Sequence, residues 1–485
     1  MEKQKSLGKN FVYSLLKTMM GVVFPLITFP YATRVLGAAS LGKIDYAQAN
    51  ITYFSLLGAF GVSGYAVREG ARIRDDRERL SRFSGEVLAV NVVTVLLAYI
   101  ACFLTIMIDK FAPYRGLMCL FSLTILLTSM GMEWLYNIHE EYAYITVRSF
   151  FFQLLSVVLL YVFVKSPEDY LIYAGVLITS SVGSNIMNFV RAHRYIRVRP
   201  IFNANFWKHL KPMSLIFVMN LATSVYLVMD RSMLGFITEN DREVGLYGAA
   251  IKITVVITSM VGAVNVVMIP RVSYTLKRDE AEGRRLNDFT VRAVALLGVP
   301  CVVGIFFLAK PVLVLFAGKE YGAAGFTLQL LMLEVLIALE NGVLINQIFI
   351  AFRKDSWATL AVIIGAVTNL IANAILIPMY GKDGAAIGTI AAETAIFLFA
   401  IVRGRSLYRI EKVVPQLAQS VIACLPMVAI YFALHTAGAG MLVTVLATVV
   451  GGGALYLAAL MFLKNDIMVM AWNKVINRLI QKKEE

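Results

Sequence analysis

The chain contains 485 residues, of which 59% are apolar and only 16% are charged. Soluble domains carry about 25% charged residues, and a soluble protein this apolar would lack the polar side chains needed to cover its surface. The net charge of +14 falls mainly in short gaps between apolar runs, which is typical of the cytoplasmic loops of membrane proteins. A nucleic-acid-binding protein instead gathers its basic residues on one soluble face. Composition therefore predicts an integral membrane protein with no nucleic-acid partner.

Fourteen apolar runs are long enough to cross a membrane, because a transmembrane helix needs about 20 such residues. The first run contains Pro25 and Pro30 and the tenth contains Glu334 and Glu340. Both still count as spans, since neighbouring helices can satisfy the backbone groups that a proline frees. We predict an all-α polytopic membrane protein with about 14 transmembrane helices. In chain order the predicted spans are 11–35, 44–65, 84–108, 115–135, 144–164, 170–190, 213–236, 244–270, 289–309, 325–350, 357–379, 384–402, 417–435 and 440–463.

Basic residues between the spans indicate the orientation of the chain. With the N-terminus inside, the inner segments hold 31 Lys and Arg residues and the outer segments hold 8. The positive-inside rule then places both termini in the cytoplasm. Segment 467–480 has apolar residues at helical spacing, with Lys474 and Arg478 between them. It is predicted to lie along the inner membrane surface, and a solvated tail with one apolar side is the alternative.

Two segments six spans apart resemble each other. They are 33-TRVLGAASLGKIDYAQA-49 and 230-DRSMLGFITENDREVGLYGAA-250, and each straddles the outer turn of a helix pair. Secondary transporters are often built from such repeats, with the substrate between them. We predict an N-terminal lobe over residues 1–200 (spans 1–6) and a C-terminal lobe over 201–404 (spans 7–12). Residues 405–485 are predicted to hold spans 13 and 14 and a cytoplasmic amphipathic tail.

No motif for enzymatic chemistry is evident in the sequence. Segment 37-GAASLGKI-44 follows the phosphate-loop pattern but ends in Ile44, where a Ser or Thr is needed to bind Mg²⁺. The four cysteines lie in separate apolar runs without a CxxC pair, which favours a packing role. The cluster 139-HEE-141 is interpreted as a solvated loop face. We predict no catalytic residue, no cofactor and no metal.

Polar residues inside the spans are the informative feature, because an intramembrane ionisable group is costly and usually faces a cavity. A projection at about 100° per residue gathers polar and small residues on one face of spans 1, 2, 7 and 8. These four spans are the two equivalent helix pairs of the repeat. The faces contain Ser14, Lys17, Gly21, Pro25 and Thr28; Asp45, Gln48, Thr52 and Ser55; Asn220, Thr223, Ser224, Asp230 and Arg231; and Gly248, Lys252, Ser259 and Gly262.

Packing and interfacial placement explain some of these residues equally well. Small and hydroxyl residues mediate helix contacts in bilayers. Arg34 and Asp45 lie at the outer boundary of their spans, and Asp230 and Arg231 can neutralise each other. Arg148, near the inner end of span 5, is predicted to extend its charge to the interface.

Lys17 and Lys252 are harder to explain in this way, since each lies about two turns from the nearest span end. They are predicted to line an aqueous cavity that is net basic. Such a cavity favours an anionic group such as a phosphate or pyrophosphate. An exporter of cationic drugs needs unpaired acids instead, for which Glu334, Glu340 and Glu393 are available outside the four helices. The predicted substrate-binding residues are Lys17, Arg34, Asp45, Gln48, Asn220, Ser224, Asp230, Arg231 and Lys252.

Several segments resemble one known family. They are 25-PLITFPYATRVLGAASLGKIDYAQANITYFSLLGAFGVSGYAVREGARIRDD-76, 208-KHLKP-212, 230-DRSMLG-235, 245-GLYGAAIK-252 and 378-PMYGKDGAAIGT-389. Together they are similar to bacterial polysaccharide flippases, the translocases of O-antigen, capsule and exopolysaccharide repeat units. That family shares a superfamily with multidrug and toxic-compound extrusion transporters and with lipid II flippases. The resemblance covers essentially the whole chain.

The resemblance implies two pseudo-symmetric six-helix lobes around a central cavity lined by spans 1, 2, 7 and 8, with two extra C-terminal helices. It also implies a function. An undecaprenyl-pyrophosphate-linked oligosaccharide would move from the inner to the outer leaflet of the bacterial cytoplasmic membrane by alternating access, and a downstream polysaccharide polymerase would use it. Arg34, Asp230, Arg231 and Lys252 fall in matching motifs, whereas Lys17 is assigned from its chemistry alone. A cation or drug antiporter of the same superfamily and a membrane assembly factor with an unused cavity are the alternatives.

Overall fold

The computed structural model describes residues 7–203, 205–405, 407, 413–470 and 472–473, and this part of the chain contains helices and no β-strand. Twelve helical segments within it are long and apolar enough to cross a membrane. The prediction of an all-α polytopic membrane protein is confirmed. The chain divides into two compact units, Met1–Gly245 and Leu246–Glu485.

Within its described residues, the first unit contains nine α-helices and the start of a tenth. Their bounds are α1 (Leu7–Ala59), α2 (Val62–Gly70), α3 (Arg77–Met107), α4 (Arg115–Met130), α5 (Glu133–Ile138), α6 (Tyr142–Phe163), α7 (Tyr170–Ile178), α8 (Asn185–Ala192), α9 (Phe206–Thr238) and α10 (Asp241–Leu276). The second unit contains the rest of α10 and the helices that follow. These are α11 (Glu280–Ala317), α12 (Gly325–Asn341), α13 (Asp355–Gly404), α14 (Val413–Ala423), α15 (Leu425–Thr436), α16 (Met441–Leu446) and α17 (Gly452–Phe462).

The two longest helices each cover two predicted spans: α1 contains span 1 and most of span 2, and α13 contains spans 11 and 12. In α1 the backbone leaves helical geometry at Gly37, where φ is 72°, and in α13 it does so at Gly381, where φ is 56°. A positive φ strains any residue with a Cβ, so glycine marks both breaks. Pro25 and Pro30 lie within α1 without a break of this kind. The number of fourteen spans stays a prediction.

Other predicted spans are interrupted where the sequence predicts continuous helices. Span 2 breaks at Phe60 and Gly61, and span 4 breaks at Gly131 and Met132, with positive φ at Phe60, Gly61 and Met132. A wider π-helical turn over Thr179–Gly183 divides span 6. Such turns are frequent at functional sites and arise where packing overrides regular hydrogen bonding.

Large apolar side chains cover much of the helix surface. On α3, Phe103 is 60% exposed and Leu104 is 63% exposed, and on α6 Phe151 is 59% exposed. Apolar surface on this scale is unfavourable in water and favourable against lipid. The exposed residues are therefore the lipid-facing surface of a multi-pass membrane protein.

The last helices pack within the second unit against α11. Tyr456 of α17 donates a hydrogen bond through Oη to the carbonyl oxygen of Leu296, at 2.7 Å. Asp466 lies 3.5 Å from Arg292 of α11, and Gln419 of α14 donates to the carbonyl oxygen of Leu463. Polar contacts within and beyond these helices therefore hold spans 13 and 14 in the second unit.

Two predictions on chain organisation are not settled by these contacts. The lobe limits of 1–200, 201–404 and 405–485 stay a prediction. Most of the predicted tail, 467–480, lies outside the described residues.

A buried polar cluster holds the start of α9 in the first unit. Glu86 of α3 and His209 of α9 are both buried, and Nε2 of His209 donates to Glu86 Oε2 at 2.9 Å. Asn203 and Asn205 donate to the other carboxylate oxygen at 2.7 and 2.9 Å. Tyr65 Oη lies 2.8 Å from Nδ1 of His209. One carboxylate thus joins α3 to α9 and to the connection that precedes α9.

Glu86→Ala is expected to destabilise the protein by roughly 3 kcal/mol or more, because three donors lose their acceptor and one of them is a buried imidazole. The midpoint of thermal unfolding in detergent measures this loss. Glu78→Ala, at an exposed position on the same helix, is the matched control and should leave the midpoint almost unchanged. Equal effects of the two substitutions would contradict the role of the cluster.

Candidate functional site

Predicted spans 2 and 7 lie side by side in the first unit. Tyr46 of α1 packs on Gly235 of α9 so closely that a Cβ at position 235 would overlap the tyrosine ring. Further along, the rings of Phe60 and Phe217 stack with centroids 4.9 Å apart. Since the residue numbers rise on one helix as they fall on the other, the two helices are antiparallel. Two of the four helices that carry polar faces are therefore neighbours.

The glycines of the internal repeat explain the close approach of α1 and α10. A Cβ on Gly42 would overlap the carbonyl oxygen of Asp241, and a Cβ on Gly245 would overlap the carbonyl oxygen of Ala38. The two glycines occupy matching places in the two copies of the repeat, and each lies against the backbone of the other copy. Small residues of this kind let helix backbones approach closely in a bilayer.

Polar contacts fix the turn between α9 and α10. Tyr114 donates a hydrogen bond to Asp241 Oδ1 at 2.7 Å. Lys110 forms an ion pair with Glu239 at 2.8 Å, and its Nζ lies 3.9 Å from the centroid of the Phe236 ring. The turn of the second repeat copy is thus held by the segment between α3 and α4.

The predicted site residues near this end differ in exposure. Asp45 and Asp230 are buried at 6% exposure each, so they reach a ligand only if the surrounding helices separate. Arg34 is exposed and donates through Nη1 to the carbonyl oxygen of Pro30 at 2.6 Å. Gln48 is exposed on α1. The structure therefore divides this group into buried acids and accessible donors.

Residues on α9 and α10 complete the predicted set. Asn220 is exposed, whereas Ser224 and Arg231 are half-buried. Lys252 is half-buried on the part of α10 that belongs to the second unit. The first unit brings Asp45 and Gln48 onto the helix that packs against the one carrying Asn220 and Ser224.

Lys17 has an acidic partner in the first unit. Its side chain is 39% exposed and forms an ion pair with Glu133, the first residue of α5. Arg148 Nη2 lies 3.5 Å from the other oxygen of the same carboxylate. The prediction that Arg148 extends to the interface is wrong, because its side chain is only 2% exposed and turns toward Glu133. One acid thus faces two bases.

Sequence reasoning missed Glu133 as a partner of Lys17. The available signal was an acid near the end of an apolar run, directly after a glycine and a methionine. The interpretation of 139-HEE-141 as a solvated face also omitted the ion-pair partners of its two acids. Glu140 pairs with Arg74 at 2.9 Å, and Glu141 pairs with Arg191 at 2.6 Å.

Comparison with known proteins identifies the family. The family described as "Polysaccharide biosynthesis protein" matches residues 7–276, more than half of the chain. The chain belongs to this family. A Shigella dysenteriae protein named as an O-antigen transporter is 25% identical to this chain over 401 residues, which cover 81% of the chain and 98% of the relative. The resemblance stated from the sequence motifs is confirmed.

Two solved structures share the fold of this chain. The lipid II flippase MurJ in an inward closed conformation superposes with a TM-score of 0.76 at 14% identity, covering 94% of this chain and 100% of that one. An inward-facing MATE-family multidrug resistance transporter of the MOP superfamily gives a TM-score of 0.60 at 13% identity, covering 82% and 97%. At these identities the likeness concerns the fold.

Gly42→Ala is expected to destabilise the contact between α1 and α10 by roughly 1–3 kcal/mol or more, because its methyl group would displace backbone rather than a flexible side chain. The thermal midpoint in detergent and the rate of polysaccharide export should both fall. Gly21→Ala, on the same helix with nothing within 4 Å of the added Cβ, should preserve both. A stable, active Gly42→Ala variant would refute the close approach.

Proposed function

We propose that this protein translocates a polyprenyl-pyrophosphate-linked oligosaccharide from the inner to the outer leaflet of the bacterial cytoplasmic membrane. The family and the relative named as an O-antigen transporter support a role in surface polysaccharide synthesis. The shared fold with a lipid II flippase supports a lipid-linked substrate. The orientation with both termini in the cytoplasm belongs to this proposal, as does a polysaccharide polymerase that uses the product.

The observation that carries the proposal is the net positive charge of one polar cluster within the spans. Lys17 and Arg148 share the single carboxylate of Glu133, so this cluster keeps one net positive charge. A buried or half-buried site of this sign attracts an anion and repels a cation. The pyrophosphate that links a lipid tail to a sugar carries the negative charge that this site attracts.

In the proposed cycle the lipid tail stays in the bilayer while the pyrophosphate and sugars pass through a cavity. Lys17 meets the pyrophosphate in the cytoplasmic half, and Lys252 with Arg231 receives it in the outer half. Exposed Gln48 and Asn220 donate hydrogen bonds to sugar hydroxyls. The remaining residues assigned to the substrate are Arg34, Asp45, Ser224 and Asp230.

Ligand binding to detergent-purified protein tests the substrate class. The three ligands are a short-chain polyprenyl pyrophosphate-sugar, the corresponding polyprenol-sugar without phosphate, and a cationic dye. Saturable binding is expected for the pyrophosphate compound alone, and Lys252→Ala should weaken it about tenfold, as for the loss of one charge-assisted contact. Binding of the dye alone would instead show a cation or drug antiporter of the same fold.

Replacing Lys17 and Lys252 together by alanine is expected to abolish polysaccharide export in cells without affecting membrane insertion, because the headgroup would lose its cationic partners. Surface polysaccharide reports export, and the amount of protein in the membrane fraction reports insertion. Lys9→Ala, an exposed lysine on α1, serves as the control for charge loss. Full export by the double variant would refute the assignment of both lysines.

A further inference from the structure

The cluster of Lys17, Glu133 and Arg148 is asymmetric in both exposure and contact. Lys17 and Glu133 are 39% and 37% exposed, whereas Arg148 is only 2% exposed. Lys17 and Glu133 are in direct contact, but Arg148 Nη2 stands 3.5 Å from the carboxylate. The Glu133 carboxylate therefore forms a close ion pair with the accessible Lys17 and only a longer contact with the buried Arg148.

Arg148 has unused hydrogen-bonding capacity. Among the described residues its Nε and Nη1 are buried without a hydrogen-bond partner. The guanidinium also faces the ring of Tyr144, with Cζ 5.7 Å from the ring centroid. A buried guanidinium with two empty donors gains strongly from a second carboxylate contact, since bidentate pairs are the strongest ion pairs of this type. Arg148 can thus donate more hydrogen bonds to Glu133 than it does in this conformation.

The backbone holds Glu133 in a defined place between the two bases. Gly131 and Met132 separate α4 from α5, and Met132 has a φ of 40°. A Cβ on Gly131 would overlap the side chain of Asn185 on α8. Glu133 also begins α5, where the helix dipole favours a negative charge. The break therefore fixes the Cα of Glu133 at a place from which its side chain contacts both Lys17 and Arg148.

We propose that Glu133 is a counter-ion that passes from Lys17 to Arg148 when an anion binds, and returns to Lys17 to release it. This inference rests on the proposed function, in which Lys17 meets the pyrophosphate. The arriving anion competes with Glu133 for Lys17, and the displaced carboxylate becomes bidentate on Arg148. Once the anion is bound, each of the two bases has an anionic partner of its own. Glu133 is a positioning residue that sets how tightly the anion is held and how readily it leaves.

The prediction that distinguishes this exchange from a structural ion pair is a split between affinity and turnover. Glu133→Gln removes the competing charge and leaves Lys17 free, so the pyrophosphate compound should bind about threefold to tenfold more tightly. Export should fall, because nothing then displaces the anion from Lys17. A residue with only a structural role would lower both quantities together. Glu133→Asp keeps the charge and should restore part of the export.

A matched control is available seven residues along the chain. Glu140 is 35% exposed and pairs with Arg74 rather than with Lys17. Glu140→Gln therefore removes the same charge at similar exposure, and it should leave the affinity for the pyrophosphate compound within about twofold of wild type, since single surface charges contribute little. Arg148→Gln tests the other arm, because without Arg148 the displaced carboxylate has no partner and the affinity should decrease.

The experiment measures binding of the short-chain polyprenyl pyrophosphate-sugar to full-length wild type, Lys17→Ala, Glu133→Gln and Glu140→Gln, with the thermal midpoint of each variant as a folding check. Tighter binding by Glu133→Gln with reduced export supports the exchange. Unchanged or weaker binding by Glu133→Gln, while Lys17→Ala abolishes binding, overturns the exchange and leaves the proposed function standing. Failure of wild type to bind the pyrophosphate compound overturns the proposed function and the exchange with it.

Discussion

Water is absent from the hydrocarbon core of a bilayer, so every charge and backbone polar group inside a span must find its partner within the protein. In this chain the constraint governs where each charge can lie. Lys17, an amine within span 1, is paired with Glu133, and the same carboxylate supports the buried Arg148. The buried Glu86 likewise collects donors from His209 and two asparagines. In these two clusters the folded chain pairs charges that lie far apart in the sequence.

Close packing between helices matters in the same environment, because no hydrophobic driving force brings helices together in lipid. Helices therefore associate through complementary shape, and glycine allows their backbones to approach closely. Gly42 and Gly245 let α1 and α10 meet backbone to backbone, and Gly235 accepts the ring of Tyr46. The internal repeat thus provides a pair of matching contact surfaces. Its glycines hold together the helices that carry most of the proposed substrate-binding residues.

The polar clusters suggest how a rigid helical protein can still respond to a ligand. Where one acid faces two bases, two arrangements of similar energy exist, and a small difference in binding selects between them. Glu133 is such an acid. It contacts the half-exposed Lys17 and the buried Arg148, which has two donors without a hydrogen-bond partner. By contrast, Glu86 already accepts from three donors and has no competing partner of this kind among its described contacts. The first cluster is suited to exchange and the second to support.

The sequence by itself determined the membrane class, the approximate spans, the family and the basic character of the polar faces, because apolar length, charge placement and short motifs are local properties of the chain. Only the tertiary structure decided that span 4 breaks before Glu133, that Arg148 is buried, and that Glu140 and Glu141 are paired. It also placed Gly42 against Asp241. These facts join residues up to 199 positions apart in sequence, and no local pattern encodes them. The interaction partner of a charged residue within the membrane depends on which helices pack together, and that packing is determined by the whole fold.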